Sequence, residues 1–226
     1  MALRLFHEGT GWEQARKDTR YTAARLDARA AHDGLAKPLR GLLARWVTID
    51  EERREADDAV VDANALVAAL DDELDTAVDA FINRLLYELH GDGAHPVFKA
   101  YFPEPPSEVL RLGLESEIER TKKLFHVAEE RKVSKEVSQL LAAIAAVSKR
   151  GTAALAAREA AYATTSRVTL RIQTWKESAN AARRGVDSVL EGHAVKAQLP
   201  RGYADRFFPA PPRLTKKRAT TPAVGP

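Results

Sequence analysis

Leu39-Arg40-Gly41-Leu42-Leu43-Ala44-Arg45-Trp46-Val47-Thr48-Ile49 begins a run in which an apolar side chain returns every third or fourth residue. Leu39, Leu42, Trp46, Ile49, then Arg53, then Ala56, Val60, Ala63, Val67, Leu70, Leu74, Ala77 and Phe81 keep that spacing. Steps of three and four place successive side chains on one stripe of a helix. A 3.5-residue repeat sustained over about six heptads is the pattern of a helix packed along a coiled-coil seam. The spacing predicts one helix from Pro38, whose missing N–H costs nothing in a first turn, to about His90. At 1.5 Å per residue it would be roughly 80 Å long. Thr48-Ile49-Asp50-Glu51 also reads as a capping box, but the heptad phase passes through it unbroken, so a turn there ranks second.

Upstream, Thr10-Gly11-Trp12-Glu13 fits a capping box that opens a helix to about Ala31, with His32-Asp33-Gly34 as its stop. Downstream, Tyr101-Phe102-Pro103-Glu104-Pro105-Pro106 ends the unit, and Ser107 is expected to cap a shorter helix to about Arg131. Ser134 then opens a second long run: Val137, Leu140, Ile144, Val147, Gly151, Ala154, Arg158, Ala161, Thr165, Val168, Ile172, Trp175, Ala179, Ala182, Val186 and Val189. Two competing readings apply here. Gly151-Thr152 could turn the chain, and Val168, Leu170 and Ile172 alternate at the period of a strand between Tyr162 and Trp175. The heptad phase ranks both below a continuous helix.

The run ends at a second aromatic-proline segment, Phe207-Phe208-Pro209-Ala210-Pro211-Pro212, 106 residues after the first. A shift of 105 residues brings the seams into register, Arg53 onto Arg158, while a shift of 104 matches Arg54-Glu55-Ala56 to Arg158-Glu159-Ala160. Both point to duplication. The expected fold is all-α: an elongated antiparallel four-helix bundle or coiled coil built from two tandem helical hairpins. Its parts are an N-terminal arm at 1–9, repeat 1 at 10–106, repeat 2 at 107–212 in one domain with it, and a disordered basic tail at 213–226 holding Lys216-Lys217-Arg218. Each repeat holds two antiparallel helices, so both aromatic-proline loops are expected at one end.

Composition narrows the function. The chain has 226 residues with 45% apolar and 30% charged side chains, a balance that folds rather than stays disordered. With no cysteine, disulfides, thiolate metal sites and cysteine nucleophiles are excluded. The first eight residues are too short and polar for a secretory leader, and no apolar stretch reaches about 18 residues, so the expected compartment is the cytoplasm. The net charge of +3 conceals a polarity: residues 50–90 carry −10 and residues 134–226 carry +10. Such runs are either solvated helix faces or complementary partners, within one chain or between chains.

No Glu-x-x-His, Gly-x-x-x-x-Gly-Lys, Gly-x-Ser-x-Gly or His-Glu-x-x-His pattern occurs, so no catalytic, cofactor or metal residue is assigned. His90, Asp92 and His95 in a Gly-rich loop offer three ligands at most, and a solvated turn explains them better. Glu115, Glu117 and Glu119 point in different directions on a helix and form no pair with one another. Tyr101, Phe102, Pro103, Phe207, Phe208 and Pro209 are either plugs for a bundle end or a partner-docking surface. Arg53 and Arg158, at seam positions, are expected to snorkel or to pair with acids such as Glu55 or Asp57, with register setting as the sharper alternative. The leading expectation is a non-enzymatic structural or protein-interaction protein whose partner is another protein or a second copy of itself. Nucleic-acid binding through Lys149, Arg150, Arg183, Arg184, Arg201 and Lys216, a ligand- or metal-binding bundle enzyme, and a pore-forming bundle rank below it.

Overall fold

The computed structural model describes Leu3 and residues 5–109, 111–131 and 133–210. Pro211, Pro212 and the tail expected at 213–226 lie outside the described residues. Among the described residues all regular structure is helical: α1 Trp12–Asp27, α2 Lys37–Glu88, α3 Pro96–Tyr101, α4 Pro106–Val109, α5 Leu114–Glu129 and α6 Lys135–Lys196, with 3-10 turns at Ala30–His32 and Ala204–Phe207. The all-α class follows from the 3.6-residue periodicity, and no strand occurs among the described residues.

The seams are where the spacing put them. On α2, Leu39, Leu42, Trp46, Ile49, Ala56, Val67, Leu70, Leu74 and Phe81 are buried; on α6, Val137, Ile144, Val147, Ala154, Ala161, Val168, Trp175, Ala179 and Val186 are buried. Neither helix breaks at Thr48 or Gly151, and Tyr162–Trp175 is helical. Some seam positions slip by one: Val78 is buried rather than Ala77, Leu141 rather than Leu140, and Leu190 rather than the half-exposed Val189. A straight helix of 3.6 residues per turn drifts off a strict heptad, and that drift moves the buried stripe one residue along.

Helix starts were less legible. Thr10 does not cap α1: its hydroxyl accepts from the His7 amide, and the N-cap is Gly11, without a side-chain bond. α1 also stops at Asp27, short of Ala31. Ser107 sits inside the one-turn α4, and α5 starts later, from Gly113. Ser134 does cap α6, accepting from the Val137 amide at 3.2 Å. α6 also corrects the reading of apolar length. It holds an 18-residue window of mean hydropathy 1.3, a third of it buried, long and apolar enough to cross a membrane by length and composition alone. Core helices of soluble proteins pass the same test.

The chain forms two compact units, residues 1–51 with 169–226 and residues 52–168, and the division runs through both long helices. In the first unit, α1 lies antiparallel to the start of α2: Trp12 Nε1 donates to Asp50 Oδ1 at 3.1 Å and Arg40 Nε to Asp27 Oδ2 at 2.9 Å. All three tryptophans meet here. Trp12 stacks on Trp46 at 5.2 Å and meets Trp175 edge-on at 5.0 Å, and Trp175 Nε1 donates to the Leu42 carbonyl at 2.8 Å. The arm before α1 is tied down, because the Asn180 amide both accepts from the Phe6 N–H and donates to its carbonyl, each at 2.7 Å.

The second unit packs α5 across the far part of α2 and the start of α6, around Leu74, Val78, Phe81, Leu124, Ile144 and Val147. A Cβ on Gly151 would lie 2.8 Å from Ile118 Cδ1, so the bare glycine lets α5 approach α6. Glu73 and Arg150 join α2 to α6 through two bonds of 2.7 and 2.9 Å, so the acidic and basic helices complement each other within the chain.

The aromatic-proline loops fall in different units: Tyr101 and Phe102 in the second, Phe207 and Phe208 in the first. α1 has 16 residues and α2 has 52, so α1 covers only the first part of α2.

Candidate functional site

The four aromatic rings of the duplicated motif are core residues: Tyr101, Phe102, Phe207 and Phe208 are all buried, while Pro103 is exposed and Pro209 half-buried. Phe81 meets Tyr101 at 5.3 Å and Phe102 at 6.0 Å, and Arg120 fastens the loop by bonding the Tyr101 carbonyl at 3.1 Å and the Glu104 carboxylate at 2.5 Å. In the other unit Phe207 packs on Tyr203 and His32, whose ring nitrogen is 2.8 Å from the Tyr203 hydroxyl. Burial first, then the charges of His193 and Arg29, lower the His32 pKa and keep it neutral. These rings fill the interiors of their own units.

The other candidates are engaged locally. Arg53 pairs with Asp57 one turn along α2 at 2.8 Å, and Arg158 is half-buried on the wall of a cleft of about 500 Å³ with Glu115, Leu155, Ala156, Glu159 and Tyr162. His95 caps α3 by accepting from the Val97 amide, and Asp92 accepts from the Ala94 amide. Among the basic residues, Arg183 is 1% exposed with its guanidinium 4.4 Å over the Phe6 ring, and Arg150 is bound to Glu73. Arg184 and Arg201 are exposed, and Lys216 lies outside the described residues.

What the structure leaves open is a two-helix stretch of the second unit. From Ala56 to Leu66 on α2, and from Ala156 to Val168 on α6, no residue joins the unit's core cluster. Burial is confined to the seam, at Ala56, Ala161 and Val168. Outside it stand Val61, 66% exposed, Leu66 and Tyr162. The Tyr162 hydroxyl accepts from Asn64 Nδ2 at 3.2 Å. Val61 is three residues from Asn64, so it shares that side of the pair with the Tyr162 ring, and helical spacing puts Leu66 on the other side. Asp57 and Asp58 lie one turn before Val61, and Arg158 one turn before Tyr162. The patch is therefore apolar in the middle, with Asp57 (paired to Arg53) and Asp58 near Val61 on one helix and Arg158 and Glu159 near Tyr162 on the other.

A second feature was missed in the sequence. Glu117 of α5 is fully buried, and neither of its carboxyl oxygens has a donor; Asp71 and Asp75 of α2 each bury one oxygen in the same condition. Glu117 and Asp75 are within bonding reach of each other, which two carboxylates cannot use but a carboxylic acid and a carboxylate can. Burial, then the charges of Asp75 and Asp71, push the Glu117 pKa up to about 8, so it keeps its proton at neutral pH. Asp75 is raised too, by burial and by Asp71. No group of three or more acidic or histidine side chains among the described residues is arranged to hold a metal ion. The signal was there: Leu114, Glu117, Ile118, Thr121 and Leu124 follow one helical stripe with a glutamate inside it. Comparison with Glu115 and Glu119 on the same helix looked for its partner in the wrong element.

No protein-family model, no curated protein and no solved structure matches the chain.

Proposed function

We propose that the chain is a non-enzymatic helical interaction protein whose partner is a second copy of itself, joined through the open stretch of α2 and α6. One observation carries this reading: Val61 and Tyr162 stand exposed on a two-helix stretch that adds nothing to the unit's core cluster, with Asp57 and Asp58 one turn before the first and Arg158 one turn before the second. A two-fold related copy laid antiparallel across the patch sets its Arg158 against the aspartates and covers both apolar side chains. The duplicated-hairpin reading, with repeats at 10–106 and 107–212 forming a four-helix bundle, belongs to the same proposal. It is supported by α1 and α5 having 16 residues each, and by an aromatic-proline segment following each long helix.

The test is the molar mass of the full chain in solution. Val61→Ser with Tyr162→Ser is expected to leave a monomer with an unchanged melting temperature, since exposed positions rarely move stability by more than about 0.5 kcal/mol. Arg158→Glu is expected to weaken the dimer, and Asp57→Arg with Asp58→Arg in the same chain to restore it. A dimer indifferent to all of these substitutions contradicts the proposal.

A further inference from the structure

At the far end of the second unit, a pocket of about 300 Å³ opens between the last turn of α2, α3 and the segment leading into α6. That volume is at the lower end of the range for small-molecule sites. Leu85, Leu89, Val97 and Val137 make its walls apolar. Four polar groups break them, of which Glu88 and Ser134 are bonded to each other. Glu88 is already satisfied, accepting from Arg84 Nε at 3.0 Å and from the Ser134 hydroxyl at 2.5 Å. The other two are not. The Tyr101 side chain is 1% exposed and its hydroxyl has no hydrogen-bond partner, although a buried hydroxyl without one costs about 1–3 kcal/mol. Arg131 is exposed at the rim, with no carboxylate partner among the described residues. The two line the same pocket; burial raises the Tyr101 pKa, and the Arg131 charge opposes it.

We propose that this pocket binds a small carboxylic acid with an apolar tail, its carboxylate held by Arg131 and the Tyr101 hydroxyl and its hydrocarbon laid between Leu85, Leu89, Val97 and Val137. The charge at the open end selects an anion. An amine would meet the guanidinium and find Glu88 already engaged. A neutral alcohol would fill the walls and leave Arg131 unanswered. One guanidinium and one hydroxyl match a single carboxylate, and the apolar walls exclude a ligand charged along its length. Tyr101 lines the pocket and its buried hydroxyl has no partner, so a carboxylate oxygen that reaches it supplies the bond it lacks.

Isothermal titration calorimetry of the full chain with octanoate, octanol and octylamine tests this. Octanoate is expected to bind one-to-one, octanol about tenfold more weakly, and octylamine not at all. Arg131→Gln should cost about tenfold or more in octanoate affinity, and Tyr101→Phe about fivefold. Because its hydroxyl is unpartnered, Tyr101→Phe should leave the melting temperature of the free protein unchanged or higher, which separates a ligand contact from a structural bond. Val97→Trp fills the pocket and should abolish binding with the helical circular dichroism intact. Octanoate failing to bind, octylamine binding as tightly, or affinity surviving Arg131→Gln or Val97→Trp would each overturn the assignment.

Discussion

Glu117 is held in its unit by a proton. Below about pH 4.5 both the folded and the unfolded chain carry that proton, and burial of the group has no pH-dependent cost. As pH rises from about 4.5 to about 8 the unfolded chain releases it while the folded chain does not, so stability falls across that window and levels off above it. Glu117→Gln keeps a donor for Asp75 without a charge to strip. It should match the parent near pH 4 and exceed it by about 2–4 kcal/mol at pH 8, read from urea melts at the two pH values. A constant difference at both would refute the shared proton. Burial of the aromatic-proline rings gives a second expectation: Phe102→Ala and Phe208→Ala should each cost about 3–5 kcal/mol, as core truncations do. The residue scale was the least legible in the sequence. That Phe102 and Phe208 mattered was visible from their repetition, whether as plug or as surface was not, and the Glu117–Asp75 pair joins two helices that no local spacing connects.

The elements were legible to the extent that periodicity governs them. The seams of α2 and α6 followed from steps of three and four, because a stripe that must stay buried constrains every turn. Helix starts depend on one or two residues, and there side-chain chemistry misled. Gly11 and Gly113 begin α1 and α5 with extended backbone and no capping side chain, while Thr10 serves a turn instead. Gly151 shows the same limit from the other direction: read first as a seam position or a turn, it is the contact point of α5 on α6. A larger side chain there must displace Ile118 and Leu114, so Gly151→Leu should destabilise by about 1–3 kcal/mol. Gly151→Ala should come out near neutral, since the gain in helix propensity, about 1 kcal/mol, offsets a small shift of flexible chain ends. Thermal melts of the two variants separate these outcomes.

For the whole molecule, the polarity of −10 over residues 50–90 against +10 over residues 134–226 was the feature that length and composition left unresolved. Part of it is answered inside the chain, by Arg150 on Glu73. Asp57, Asp58 and Arg158 belong to what is left; they flank Val61 and Tyr162 on the open stretch, and there the account places the second copy. Sedimentation equilibrium of the full chain at low and high ionic strength is the most direct test. The account predicts a dimer at low ionic strength that weakens as salt screens the charged flanks, and a monomer at both for Val61→Ser with Tyr162→Ser. A parent chain that stays monomeric at both ionic strengths contradicts it.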